Sequence, residues 1–109
     1  MKHFTYYRPQ SAEEAVGLLD AKWGKTELLA GGTDLLDLMK EYVAQPDKVV
    51  SISGGDQRIG FGNGGETATI SANSTLSWIA QNQRLGEVFP ALTTAAGQIG
   101  GPQIRNMGT

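Results

Sequence analysis

The sequence contains no cysteine, so it forms no disulfide and offers no thiolate to an iron–sulfur cluster. Any such cluster has to sit on another chain. Histidine occurs once, at His3, which leaves zinc chemistry of the usual His/Cys kind without a ligand set; no metal site is expected. Positive charge is not in excess. Nine basic against eleven acidic residues give a formal net charge of −2, too little positive field to hold a nucleic-acid backbone. No apolar run approaches membrane-spanning length, and the start "MKHFTYYRPQ" lacks the apolar core of a signal peptide. The expectation is a cytoplasmic chain with no nucleic-acid partner and no membrane span.

What is present describes one ordinary folded unit, or a piece of one. The chain has 109 residues, of which 39% are hydrophobic and 7% aromatic, enough for a single core and too few for two comfortable ones. Its 15 glycines cluster rather than spread, which marks turns and close backbone approaches.

Periodicity predicts a short strand at "FTYYRP", then a helix opened by a capping box between Ser11 and Glu14. Ala12, Ala15, Val16, Leu19 and Trp23 recur at helical spacing, with Gly24 as a left-handed stop. "TELLA" reads as a buried strand. After the glycines at 31 and 32, Leu35, Leu38, Met39 and Tyr42 fall on one helical face, and Pro46 precedes the Val- and Ile-rich strand "KVVSIS". Strand, Gly-rich turn, helix and strand within about thirty residues form the βαβ pattern, with its two strands parallel. Further on, "RIGFGNGGETATISA" alternates around Asn63–Gly64, the commonest tight-hairpin chemistry. The fragment "GFGNGG" is not a phosphate fingerprint, because a strand and not a helix follows it. "STLSWIAQN" and "PALTTAAGQIG" are helical, the second with Pro90 in its first turn and Leu92, Ala95, Ala96 and Ile99 as its apolar stripe. Gly100–Gly101–Pro102 stops that helix, and "QIRNMGT" carries no clear element of its own.

The junction "AGGTD" carries the chemistry. A strand that turns through two glycines directly into a helix brings unpaired N–H groups to the helix start, with the positive end of the macrodipole behind them. Gly31 and Gly32 lack Cβ atoms, so a diphosphate can approach the main chain. Thr33 either caps the helix or donates to a phosphate oxygen. Asp34 suits the first helical turn and can accept from a ribityl or ribose hydroxyl. No lysine stands in the P-loop position, which argues against nucleoside-triphosphate hydrolysis. The plain alternative is a structural strand-to-helix connection capped by Thr33.

In order, "FTYYRPQSAEEAVGLLD", "LLAGGTDLLDLMK", "ISANSTLSWIA", "FPALTTAAGQIG" and "PQIRNMGT" resemble the FAD-binding (medium) subunit of the molybdenum hydroxylases, the family of xanthine dehydrogenase and carbon monoxide dehydrogenase. The resemblance covers essentially the whole chain. It is specific at "LLAGGTDLL" and "QIRNMGT" and weak between Ser53 and Thr69. It implies an α+β, vanillyl-alcohol-oxidase-type FAD-binding domain: an N-terminal βαβ lobe over residues 1–55, and part of a second α/β lobe over residues 56–109. In that family two glycine-containing loops hold the FAD pyrophosphate. The first corresponds to Leu29, Ala30, Gly31, Gly32, Thr33, Asp34 and Leu35; the second begins at Thr109, where this chain stops, so a truncated chain is expected that binds FAD weakly or not at all. The resemblance further implies an oxidoreductase subunit with no catalytic side chains of its own. Electrons would pass from 2Fe-2S clusters through FAD to NAD or another acceptor, with the clusters and the molybdenum cofactor on partner subunits.

The remaining candidates have bland readings. His3 is read as a partly exposed histidine near the chain start rather than a covalent flavin attachment. Asp34, Asp37 and Glu41 form a solvated acidic face rather than a metal site. Trp23 and Trp78 are assigned to core packing rather than ring stacking. Arg105 and Asn106 brace the start of the second loop without touching flavin. Two competing functions remain at this stage: a non-redox assembly module of a larger complex with a purely structural Gly-Gly turn, and an α/β domain for another phosphate ligand.

Overall fold

A computed structural model describes all residues, Met1–Thr109, as two compact units, Met1–Ser53 and Gly54–Thr109. Each builds its own sheet and its own small core, and no helix of either is long and apolar enough to cross a membrane.

The first unit runs β1 (Thr5–Tyr7), α1 (Ala12–Gly17), β2 (Thr26–Leu29), α2 (Leu35–Lys40) and β3 (Lys48–Ser51). The strand order is β1-β3-β2 and both pairings are parallel, Tyr7 and Leu28 standing beside Val50 in register. The βαβ expectation therefore holds for β2, α2 and β3. The central strand is flanked on both sides, which is why Val49, Val50 and Ser51 are buried while the edge strands stay partly open. Met39 of α2 and Pro46 complete this core.

Ser11 caps α1 as expected: its Oγ accepts from the Glu14 amide at 3.1 Å, and the Glu14 carboxylate reaches back to the amide of Gln10 at 2.9 Å. The helix is much shorter than its periodicity predicts. It closes at Gly17 because the last turn tightens to i→i−3 bonds, Leu18 to Ala15 and Leu19 to Val16, and because the Leu18 carbonyl is taken by Lys48 Nζ at 2.8 Å. Gly24 does adopt a positive φ of 79°, but in the turn before β2 rather than at a helix end. Trp23 is consequently 96% exposed, which overturns its assignment to the core. α2 likewise ends at Lys40, leaving Tyr42 outside it.

The second unit contains the antiparallel hairpin β4 (Ile59–Gly62) and β5 (Thr67–Ile70), followed by α3 (Leu76–Gln81), α4 (Gln83–Val88), α5 (Pro90–Gln98) and α6 (Pro102–Met107). Gly62 pairs with Thr67, so the hairpin loop is longer than the two-residue turn expected. Asn63, Gly64 and Gly65 all have positive φ, the conformation for which Asn-Gly was read. Thr75 caps α3 by accepting from the Trp78 amide at 3.2 Å, and Asn82 caps α4 by accepting from Leu85 at 2.8 Å. Pro90 opens α5 as expected.

Two of these helices depart from the sequence reading. α4 was not anticipated, although Asn82 carried its start signal and Leu85 its buried contact. α6 occupies "PQIRNM", where no element was expected: α5 has already ended at Gln98, and Pro102, at the first position of α6, starts a helix rather than stopping one. α3 packs against α5 and α6, and the unit's buried side chains are Leu85, Ala96 and Ser74. Of the stripe expected on α5, only Ala96 is buried, and Leu92 and Ile99 stay open. Trp78 is half exposed, so it too lies outside the core.

Candidate functional site

The strand-to-helix junction is built by β2 and α2. Residues 29 to 35 all belong to the first unit; Leu29, Ala30, Gly31, Gly32, Thr33 and Leu35 are half-buried and Asp34 is exposed. The chain leaves β2 after Leu29, whose carbonyl accepts from the Ile52 amide at 2.8 Å. It then turns through Gly32, whose φ of 78° is a left-handed conformation that side chains rarely adopt. A Cβ at Gly32 would also stand 3.1 Å from Cδ1 of both Leu29 and Leu36, so this glycine is fixed by both conformation and space.

The amides of Gly31, Gly32, Thr33, Asp34 and Leu35 enter no hydrogen bond within the chain. Carbonyls of the same stretch are used: Gly32 accepts from Leu36 and Asp34 from Leu38, each at 3.1 Å. Two of the loop's carbonyls are thus turned into α2, while its donors stay free. Thr33 does not cap the helix. The N-cap position belongs to Asp34, which makes no side-chain cap bond, so the Thr33 hydroxyl and the Asp34 carboxylate are both uncommitted. At six residues, α2 has little macrodipole to add. No lysine or arginine lies between Leu29 and Leu35, so anion attraction at this loop has to come from the amides themselves.

Thr109 belongs to the second unit and is exposed. It follows Gly108, which is buried and whose carbonyl accepts from the Leu76 amide at 2.9 Å. Arg105 Nη1 donates to the carbonyls of Ile99 and Gly100 at 3.1 and 2.7 Å, and Asn106 Oδ1 accepts from the Ser77 hydroxyl at 2.6 Å. Sequence reasoning named Arg105 and Asn106 but not Ser77; a serine inside a helix gives no signal of a partner 29 residues away.

His3, Asp34, Asp37 and Glu41 are exposed. No group of three or more His, Asp or Glu side chains is arranged to hold a metal ion.

The family described as "FAD binding domain in molybdopterin dehydrogenase" matches this chain over residues 2–109. Over 106 residues the chain is 36% identical to the carbon monoxide dehydrogenase medium chain of Hydrogenophaga pseudoflava, covering 97% of this chain and 37% of that one. Over 110 residues it is 36% identical to the nicotinate dehydrogenase FAD-subunit of Eubacterium barkeri, covering 100% and 37% respectively. Its structure matches that of CO dehydrogenase from Oligotropha carboxidovorans with a TM-score of 0.86 at 32% identity, covering 98% of this chain and 37% of that chain. The chain thus spans little more than a third of the length of these relatives. With the match running nearly end to end through both the glycine pair and the "RNMGT" segment, the chain belongs to the family of FAD-binding domains of molybdopterin dehydrogenases.

Proposed function

We propose that this chain provides the FAD-binding portion of an oxidoreductase flavoprotein subunit of the molybdenum hydroxylase type. The observation that carries the reading is the run of five consecutive free amides, Gly31 to Leu35, at a turn whose first two residues carry no side chain. Main-chain donors at a glycine turn suit a diphosphate, because at Gly31 and Gly32 the N–H approaches a phosphate oxygen without its own residue's Cβ in the way. The donor set therefore fits FAD. Leu29, Ala30, Gly31, Gly32 and Leu35 form the backbone cradle, Thr33 adds its hydroxyl, and Asp34 accepts from a ribityl or ribose hydroxyl.

FAD held by these residues would supply the redox chemistry, linking 2Fe-2S clusters on a partner chain to NAD or another acceptor. The work of this chain is to bind and orient. It has no cysteine with which to hold a cluster, so the iron–sulfur and molybdenum-cofactor subunits are separate partners in this reading. The two compact units correspond to the two lobes of one vanillyl-alcohol-oxidase-type domain, with the boundary near residue 55, and the assembly is cytoplasmic.

The test is the flavin content of the purified full-length protein and of its Gly31→Asp variant. Stoichiometric FAD in the parent, lost in a variant whose circular dichroism is unchanged, supports the reading. Equal flavin in both would remove the Gly31 loop from the site, a parent without flavin would favour an assembly module with a structural Gly-Gly turn, and binding of adenine nucleotides but not flavin would favour another phosphate ligand.

A further inference from the structure

The loop that joins β4 to β5 holds Asn63 and Gly64 at its exposed tip. The Glu66 amide closes the loop by donating to the Asn63 carbonyl at 3.3 Å, and the Gly64 amide enters no hydrogen bond within the chain. A Cβ at Gly64 would meet nothing within 4 Å, so the peptide between the two residues is open to water.

An asparagine side chain carries an electrophilic carbon, Cγ, that the nitrogen of the next peptide can reach by closing a five-membered ring. Three things oppose that closure: a hydrogen bond that holds the nitrogen, the bulk of the following side chain, and exclusion of water. None operates at Asn63, since its neighbour is an exposed glycine with a free amide. The remaining asparagines, Asn73, Asn82 and Asn106, are each held. Asn73 precedes the buried Ser74, whose amide donates to the Ser71 carbonyl at 3.0 Å. Asn82 Oδ1 accepts from the Leu85 amide at 2.8 Å, and Gln83 after it opens α4. Asn106 Oδ1 accepts from the Ser77 hydroxyl at 2.6 Å, and both Asn106 and Met107 lie inside α6.

We propose that Asn63–Gly64 is a site of spontaneous deamidation, selected from the four asparagines by the fold. Solvent hydroxide removes the Gly64 amide proton, and the nitrogen's electron pair forms a bond to Asn63 Cγ. The Cγ–Nδ2 bond breaks, and Nδ2 takes a proton from water and leaves as ammonia. Water then opens the succinimide ring at either of its carbonyls. The net change is the gain of water and the loss of ammonia, with nothing oxidised or reduced. Opening between the Gly64 nitrogen and Cγ leaves an aspartyl side chain. Opening between that nitrogen and the main-chain carbonyl carbon leaves an isoaspartyl linkage, in which the chain runs through Cβ and Cγ and is one carbon longer. Both products add negative charge to a chain of net charge −2. The isoaspartyl product also takes the Asn63 carbonyl out of the main chain, and with it the acceptor for Glu66 that closes the loop.

The experiment incubates the purified full-length protein in neutral buffer at physiological temperature. Each asparagine is followed by peptide mapping with mass spectrometry, and electron-transfer fragmentation separates aspartyl from isoaspartyl products. Conversion is expected at Asn63, while Asn73, Asn82 and Asn106 stay intact. Gly64→Ala puts a Cβ beside the attacking nitrogen and is expected to slow the conversion about tenfold, which is about 1.4 kcal/mol on the barrier. Asn63→Gln is expected to remove the mass change altogether, and circular dichroism checks that both variants fold. The parent incubated in urea needs no variant and shows the rate without the fold. An Asn63 that converts in urea but not in the folded protein overturns the proposal. So does conversion at Asn73, Asn82 or Asn106 as fast as at Asn63 in the folded protein, or a folded Gly64→Ala variant that converts as fast as the parent.

Discussion

The carbonyl of Leu38 accepts the amide of Val43 at 2.9 Å across the end of α2. With the bond from Tyr42 to Met39 at 3.2 Å, this closes the helix in a Schellman motif, whose left-handed position normally falls to glycine. In this chain it falls to Tyr42, at a φ of 59° and 56% exposed. The tyrosine gains little burial to offset a left-handed backbone, which costs a non-glycine residue about 1–2 kcal/mol. Tyr42→Gly is therefore expected to raise stability by about 0.5–1 kcal/mol, the part left after the greater chain entropy of glycine. Urea unfolding at neutral pH measures it, and a lowered midpoint would contradict the account of this helix end.

Gly32 and Gly24 form a matched pair for separating conformation from crowding. Their φ values are 78° and 79°, but a Cβ at Gly24 would meet nothing within 4 Å, whereas one at Gly32 would crowd Leu29 and Leu36. Gly24→Ala should cost about 1–2 kcal/mol for the left-handed backbone alone. Gly32→Ala should cost about 1 kcal/mol more, since the leucine side chains have to shift. Equal unfolding midpoints for the two variants would mean that the loop is free to relax.

Asp20 accepts from Lys48 Nζ at 2.9 Å and from the Thr26 hydroxyl at 2.7 Å. These contacts, the Lys48 bond foremost, hold its carboxyl below the ordinary value of 3.8. A folded-state value below the unfolded one makes the charged form stabilising: the contribution is complete above the unfolded value and is lost as pH falls through the folded one. Asp20→Asn should thus be less stable than the parent at neutral pH, and the gap should narrow only when the pH falls below 3.8. Thermal melts of both proteins across the acid range measure it. A gap that stays constant through that range would assign the effect to packing rather than to charge.

Local chemistry was legible where one residue decides the outcome. Ser11 caps α1, Pro90 opens α5, and the β2, α2, β3 unit follows from its run of strand, glycines and periodic leucines. Legibility failed where a distant partner decides. Periodicity carried α1 on to Trp23, but Lys48 takes the Leu18 carbonyl from across the sheet, and no local pattern announces that bond. Pro102 was read as an end because it follows two glycines; it is equally suited to begin a helix, and the contacts of α6 with α3 decide between the two. At the candidate site the sequence named the loop, but it assigned the cap to Thr33 and leaned on the dipole of a helix that proves short. The free amides are the part of that argument that stands.

The most direct measurement is a crystal structure of the full-length protein with FAD bound, reading the distances from the amide nitrogens of residues 31 to 35 to the diphosphate. At least two of these nitrogens are expected within about 3.2 Å of phosphate oxygens, the usual limit of an N–H···O bond. A diphosphate seated elsewhere, with the Gly31 and Gly32 amides facing only solvent, would contradict the account.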